Sequence, residues 1–326
     1  MEPGVILSII IVITVVSYVT DQILDYINLK SQRTDIPKEI EAFYEKEKYL
    51  KSLAYHRELT GFSFITSGIS FLLSLVMLVA GGFGWLDSLL RPHFQSEIVL
   101  ALGYFAVLML ASDILTLPFQ WYRVFVIEEK YGFNKTTVKT FITDKLKGYL
   151  LAAIIGGGLL SALIYLIETI GPNFWIWFSI IAALFVLFVN MFYTSLILPM
   201  FNKLTALPDG ELKTAIERFA KKVNFPLDNI FIIDGSKRSR KANAFFSGIG
   251  RKKKIVLYDT LIENHTTDEL VAVLAHEVGH FKKKHIIWGY VLSILQIVFT
   301  LFVLSKIVFA ENISIALGGT EHAIHL

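Results

Sequence analysis

Leu274-Ala275-His276-Glu277-Val278-Gly279-His280-Phe281-Lys282-Lys283-Lys284-His285 leads directly into an apolar run over 286–310. On a helix, positions 276 and 280 lie about one turn apart, so both imidazoles project to one side and can share a metal ion. Glu277 then stands beside the ion, where its carboxylate can take a proton from water and later return it. Just upstream, Thr266-Thr267-Asp268-Glu269 pairs Thr266 with Glu269 in a capping box and predicts a helix from 267. Leu270, Val271, Val273, Leu274 and Val278 supply the apolar side that buries it. The competing reading is a surface helix with two stray histidines. The helix signals around the motif favour a metal site.

The metal helix is predicted to run straight into the apolar run, which is one of six. The others cover 5–19, 62–83, 98–118, 148–170 and 174–199. Each is about long enough to cross ~30 Å of hydrocarbon, the first with a small extension at either end. Only 18% of the 326 residues are charged and the mean hydropathy is +0.57. That is the composition of a membrane protein and not of a large soluble enzyme. No Lys or Arg precedes the first run and no small-residue cleavage site follows it, so it reads as an anchor helix and not a signal peptide. Residues 21–60 are polar and mixed in charge, and suggest a solvated helix between the first two spans. Cysteine is absent, which excludes disulfides and thiolate metal sites; a metal here is held by His and carboxylate.

Loop charge orients the spans. Lys and Arg cluster in 21–61, 119–147 and 201–285, whereas 84–97 holds Arg91 alone and 171–173 and 311–326 hold none. Alternate loops are therefore basic, which predicts an outer N-terminus, a cytoplasmic motif and an outer tail at 311–326. The basic clusters Lys237-Arg238-Ser239-Arg240-Lys241, Arg251-Lys252-Lys253-Lys254 and Lys282-Lys283-Lys284 suit anionic lipid better than nucleic acid, with a substrate's terminal carboxylate as a lesser use of the first. Within the spans, Asp113 is a candidate functional group, with pairing to a neighbouring helix as the plainer reading. Asn190 reads as a helix–helix hydrogen bond.

Residues 201–285 are the one stretch with room for a folded soluble domain. Leu212, Ala215, Ile216, Phe219, Ala220 and Val223 keep a helical period, and Phe231-Ile232-Ile233 reads as a strand. Asn243-Ala244-Phe245-Phe246, Ser247-Gly248-Ile249-Gly250 and Lys254-Ile255-Val256-Leu257-Tyr258 read as a hairpin. The predicted organisation is transmembrane helices over 1–200, a cytoplasmic α+β domain over 201–285, a sixth span over 286–310 and an outer tail over 311–326.

Several stretches together carry a resemblance: Phe125-Val126-Ile127-Glu128-Glu129-Lys130-Tyr131-Gly132-Phe133-Asn134-Lys135-Thr136-Thr137, Leu198-Pro199-Met200-Phe201-Asn202-Lys203-Leu204, Asn243-Ala244-Phe245-Phe246, Ile255-Val256-Leu257-Tyr258-Asp259-Thr260-Leu261 and the segment from Leu274 to His280. With them, the chain resembles the type I CAAX prenyl endopeptidases, integral-membrane zinc metalloproteases, from about 20 to about 310. The resemblance implies a mainly α fold, a polytopic bundle of transmembrane helices around a chamber, with a small cytoplasmic α+β protease domain. It implies Zn2+, one ion per complete protein, with His276 and His280 as ligands and Glu277 as general base. It implies extended or prenylated C-a-a-X peptides as substrates and an edge strand near Asn243 that pairs with their backbone. A turn residue before a strand is the equal alternative for Asn243.

The chain departs from the family in one respect. A catalytic zinc takes three protein ligands and keeps an open position; in the family the third is a glutamate beyond one more span, which places it past Leu326. A seventh span is therefore expected beyond this sequence, which reads as C-terminally truncated, a weak zinc binder and close to inactive. His285 lies nine residues after His276, about 180° round a regular helix, and is predicted to face away from the metal. Glu311, Glu321, His322 and His325 fall on the opposite side of the membrane from the motif. The functional alternatives are a quality-control protease for membrane proteins and a non-catalytic scaffold, although an intact Glu277 between two ligand histidines argues against a scaffold. A multi-pass location follows, with the protease domain facing the cytoplasm: the inner membrane of a bacterium, or the endoplasmic reticulum or inner nuclear membrane of a eukaryote. Nucleic acid is not expected as a partner.

Overall fold

The computed structural model describes residues 1–326 except Ile40 and 248–252. The chain divides into two compact units, Met1–Gly132 with Ser305–Leu326, and Phe133–Leu304. The first unit begins with α1 (Pro3–Lys30), α2 (Lys46–Val79), α3 (Gly82–Leu90) and α4 (Glu97–Tyr122). The first apolar run thus extends well past 19, because Ile23, Leu24 and Ile27 continue it. The predicted linking helix over 21–60 is instead the ends of α1 and α2 with a loop around Pro37 between them. No residue of α1 is buried, and Val12, Ile13 and Val16 are more than half exposed, as lipid-facing side chains are.

The second unit opens with α5 (Val138–Leu151), α6 (Gly157–Ile170), α7 (Phe174–Phe192) and the short α8 (Leu198–Phe201). π-Helical turns over Ala152–Gly156 and Tyr193–Ile197 join α5 to α6 and α7 to α8. Straight, this 64-residue stretch would be about 96 Å long, some three times the hydrocarbon thickness. It turns at Gly171–Asn173, where Gly171 takes φ +67° and ψ −143°, a conformation open in practice to glycine alone. α6 and α7 pack on each other. Among the described residues five helices are long and apolar enough to cross a membrane: Pro3–Lys30, Lys46–Val79, Glu97–Glu128, Val138–Phe201 and His285–Ile307. Six runs were predicted; the fourth helix holds two of them, folded at Gly171.

β1 (Leu204–Ala206), α9 (Glu211–Lys222), β2 (Leu227–Ile233), β3 (Ala244–Ser247), β4 (Lys253–Tyr258), α10 (Asp259–Asn264), α11 (Thr267–Lys282) and α12 (His285–Ile307) follow. The sheet order is β1-β2-β4-β3, with β2 and β4 parallel and the outer pairs antiparallel. The predicted hairpin is β3 with β4, in the register Ala244↔Leu257 to Ser247↔Lys254; Gly248, Ile249, Gly250, Arg251 and Lys252 lie outside the described residues. Ile216 of α9, Leu257 of β4 and Leu270 and Leu274 of α11 form one buried core, so the helix that carries H-E-x-x-H is seated on the sheet by the apolar side its sequence predicts.

The chain closes with α13 (Glu311–Ala316), which belongs to the first unit and contacts α1. Asn312 Nδ2 donates to the Met1 carbonyl at 3.0 Å, and the Gly84 amide donates to the Leu317 carbonyl at 3.0 Å. Gly84 and Gly318 approach so closely that a Cβ on Gly84 would lie 1.9 Å from the Gly318 carbonyl carbon. The N-terminus, the α3 segment and the tail, which loop charge assigns to one side, lie together.

Candidate metal centre

Thr266 caps α11 as its sequence predicts. The Glu269 amide donates to Thr266 Oγ1, and the Thr266 amide donates to Glu269 Oε2 at 2.7 Å. That backbone donor, with the Thr266 hydroxyl, holds the Glu269 carboxyl below its ordinary range. The last turn is anchored by Val278, which is buried, and by Phe281, whose ring meets Phe225 edge-on at 5.1 Å. Between these anchors His276 and His280 are exposed and Glu277 is half-buried.

The two imidazoles turn toward each other, with Nε2 to Nε2 at 3.1 Å. Two nitrogens each ~2.0–2.1 Å from a tetrahedral zinc stand ~3.3 Å apart, so this pair already has the spacing of two ligands to one ion. Glu277 follows His276 directly on the helix.

His285 departs from its prediction. Its Nδ1 lies 2.8 Å from Nδ1 of His280, with the rings 4.9 Å apart at 74°. The cause is a break in the helix. α11 ends at Lys282, Lys284 adopts the left-handed region at φ +57°, and α12 restarts at His285. The metal helix therefore does not run straight into the span, and the regular-helix angle for His285 does not apply. No composition signal marks the break, because a lysine occupies the left-handed position where glycine or asparagine is usual. His280 offers Nε2 to His276 and Nδ1 to His285, opposite edges of one ring, so the three histidines do not converge on a point. Among the described residues no group of three or more His, Cys, Asp or Glu is arranged to hold a metal.

Asn243 stands immediately before β3. Its carbonyl accepts from the Tyr258 amide at 3.0 Å, closing the ladder, and its Oδ1 accepts from the Ala244 amide at 2.9 Å. Because Asn243 pairs with Tyr258 and Phe245 with Val256, the backbone groups of Ala244 and Phe246 turn away from β4, toward the open edge of the sheet. Ala244 and Phe246 also pack against the core that holds Leu270 and Leu274, which sets this edge beside the metal helix.

In the basic cluster at 237–241, Arg238 pairs with Asp144 and Lys241 lies over the Phe133 ring at 5.1 Å, while Lys237 and Arg240 are exposed. Lys282, Lys283 and Lys284 are exposed. In the spans, Asp113 Oδ1 accepts from Gln120 of its own helix at 3.2 Å. Asn190 donates to the Val186 carbonyl of its own helix at 2.8 Å, not across helices as predicted, because an exposed amide satisfies itself on the carbonyl one turn back.

Two family profiles match the chain: the CAAX prenyl protease N-terminal region, described as five membrane helices, over residues 25–203, and peptidase family M48 over residues 206–324. CAAX prenyl protease 1 homolog of Arabidopsis thaliana is 36% identical over 85% of this chain and 68% of its own length. CAAX prenyl protease 1 of Saccharomyces cerevisiae is 39% identical over 84% of this chain and 63% of its own length. The chain thus spans roughly two thirds of these curated relatives. The crystal structure of S. mikatae Ste24p superposes with a TM-score of 0.89 at 32% identity, over 97% of this chain and 74% of that one. With a multi-pass helical membrane fold, a small α+β domain and the H-E-x-x-H helix seated on its sheet, the chain belongs to the CAAX prenyl protease family, the M48 membrane metalloproteases.

Proposed function

We propose that His276 and His280 are zinc ligands, that Glu277 is the general base, and that the site hydrolyses a peptide bond near the C-terminus of prenylated C-a-a-X proteins. The observation that carries the reading is the 3.1 Å Nε2 separation on a capped, sheet-seated helix. Zinc, held there by His276 and His280, would supply Lewis acidity toward a water and the scissile carbonyl. Glu277 would hold the proton of the attacking water and pass it to the leaving amide nitrogen. An extended substrate lies along the open edge of β3, taking main-chain hydrogen bonds from Ala244 and Phe246; Asn243 releases the Ala244 amide as it does so. Residues 201–285 are the catalytic domain and face the cytoplasm, supported by the alternation of basic loops. A prenyl chain partitions into the bilayer beside it. His276 and His280 supply two of the three protein ligands that a catalytic zinc takes.

The test is a zinc titration of the detergent-purified chain by chelator competition, beside His276→Ala and His280→Ala, with photocrosslinking of a farnesylated C-a-a-X peptide. One weak site, lost in both variants, and labelling of the β3 segment only by the farnesylated peptide are expected. Zinc binding untouched by either substitution overturns the metal assignment. Equal labelling by unprenylated, unfolded chains favours a quality-control protease instead. In a form of the protein that turns over, Glu277→Gln keeps the zinc and slows cleavage about 10²–10⁴-fold.

A further inference from the structure

We propose that His285 is a positioning residue for the metal centre, fixing the ring and tautomer of His280 through the Nδ1–Nδ1 hydrogen bond; this rests on the reading of His276 and His280 as ligands. A neutral imidazole carries one proton. If His280 binds metal through Nε2, its proton is on Nδ1, and the acceptor 2.8 Å away is Nδ1 of His285. His285 then carries its own proton on Nε2. If His285 were the donor instead, the His280 proton would sit on Nε2, pointing at His276 and closing the metal position. The direction of this one bond and the capacity of His280 to ligate are therefore the same variable.

The backbone is arranged to make the contact. In an unbroken helix, a residue five positions after His280 lies about 140° round the axis and could not face it. The chain ends α11 with bonds from the Lys283 amide to the Gly279 carbonyl and from the Lys284 amide to the Phe281 carbonyl. It passes through Lys284 at φ +57°, and starts α12 with the Trp288 amide on the Lys284 carbonyl. A side chain with a Cβ seldom adopts that φ, and here it returns His285 to the metal side. The rings meet edge-on, 4.9 Å apart at 74°, an arrangement that lets the Nδ1–Nδ1 hydrogen bond form at 2.8 Å. Ligand histidines commonly donate their second nitrogen to a carboxylate or carbonyl; here the acceptor is a third imidazole.

The test uses the full chain in detergent, with Zn2+ and Co2+ as probes and His285→Ala, His285→Asn and His276→Ala as variants. The Asn side chain can place its carbonyl oxygen where Nδ1 of His285 stands. His285→Ala is expected to weaken zinc about 10–100-fold and to shift the visible Co2+ band, with the metal-free melting temperature unchanged. His285→Asn restores both to within a few-fold. Loss of binding in His276→Ala alone, with His285→Ala like the parent, overturns this inference and leaves the metal assignment standing. Unchanged binding in His276→Ala overturns both. A His285→Ala defect that Asn does not relieve, or that lowers the metal-free melting temperature, assigns His285 to folding and overturns the positioning role.

Discussion

Arg238 grips Asp144, ninety-four residues away in sequence, with two parallel bonds: Nε to Oδ2 at 2.7 Å and Nη2 to Oδ1 at 2.9 Å. Nη2 also reaches the Phe201 carbonyl at 2.8 Å. The Arg238 carbonyl accepts from the Lys135 amide, and Asn134 bridges to Ser239, so one residue ties the start of α5, the end of α8 and the sheet domain together. Both side chains are about three-quarters buried, between the exposed and the fully buried regimes. Arg238→Ala or Asp144→Ala is therefore expected to cost about 1–3 kcal/mol. Arg238→Lys recovers little, because an ammonium cannot make the two-point contact. Thermal unfolding in detergent measures this; a melting temperature unchanged in Arg238→Ala would show the pair to be dispensable.

The capping box makes a graded prediction. Thr266→Ala removes the acceptor for the Glu269 amide and is expected to cost about 1 kcal/mol, while Thr266→Ser is close to neutral. Glu269 titrates below its ordinary value in the fold, so its contribution is present above the unfolded value and is lost as the pH falls through the folded one. The Thr266→Ala penalty should thus shrink on acidification below about pH 4.5, read as the difference in melting temperature between variant and parent across that range.

A second pH effect sits in the tail. His325 Nε2 contacts Asp87 Oδ1 at 2.9 Å, both side chains being 1% exposed. Arg91 binds Asp87, Glu97 and Glu321 around them. Burial pushes the imidazole below its ordinary range, against the opposing pull of Asp87. The unfolded chain then takes up the proton more readily. Stability is full above about pH 6.5 and declines as the pH falls toward the lowered folded value. His325→Gln keeps a donor for Asp87 and does not titrate. Its melting temperature should fall less than the parent's between pH 7 and 5, and parallel curves would refute the assignment.

Gly84→Ala drives a methyl to 1.9 Å from the Gly318 carbonyl carbon and oxygen, backbone atoms that cannot rotate aside. Overpacking of this kind costs about 1–3 kcal/mol. The expected signature is release of the tail, seen as faster amide exchange over 311–326 than over α4. Uniform exchange across both would indicate that the contact is not required.

What the sequence determined by itself is local in origin. The capping box, the apolar side of α11, the β3–β4 hairpin and the membrane runs each depend on residues within a few positions of one another. Charge alternation adds a global statement, because every crossing inverts the side; the contact of Asn312 with Met1 and of Gly84 with Leu317 agrees with it. The His276–His280 pair was legible because the two histidines lie about one helix turn apart.

Only tertiary structure decided the rest. His285 reaches His280 because the chain breaks at Lys284, which takes the left-handed region although lysine has no preference for it. Arg238, one cation in a basic run, is fixed by a carboxylate ninety-four residues away. Gly171, by contrast, was marked in the sequence between two apolar runs, yet the φ it must adopt followed only from folding a 64-residue helical stretch back on itself. Short-range patterns encode which elements form. Which side chains meet depends on backbone angles at a few junctions, and those angles are set by contacts between residues far apart in the chain.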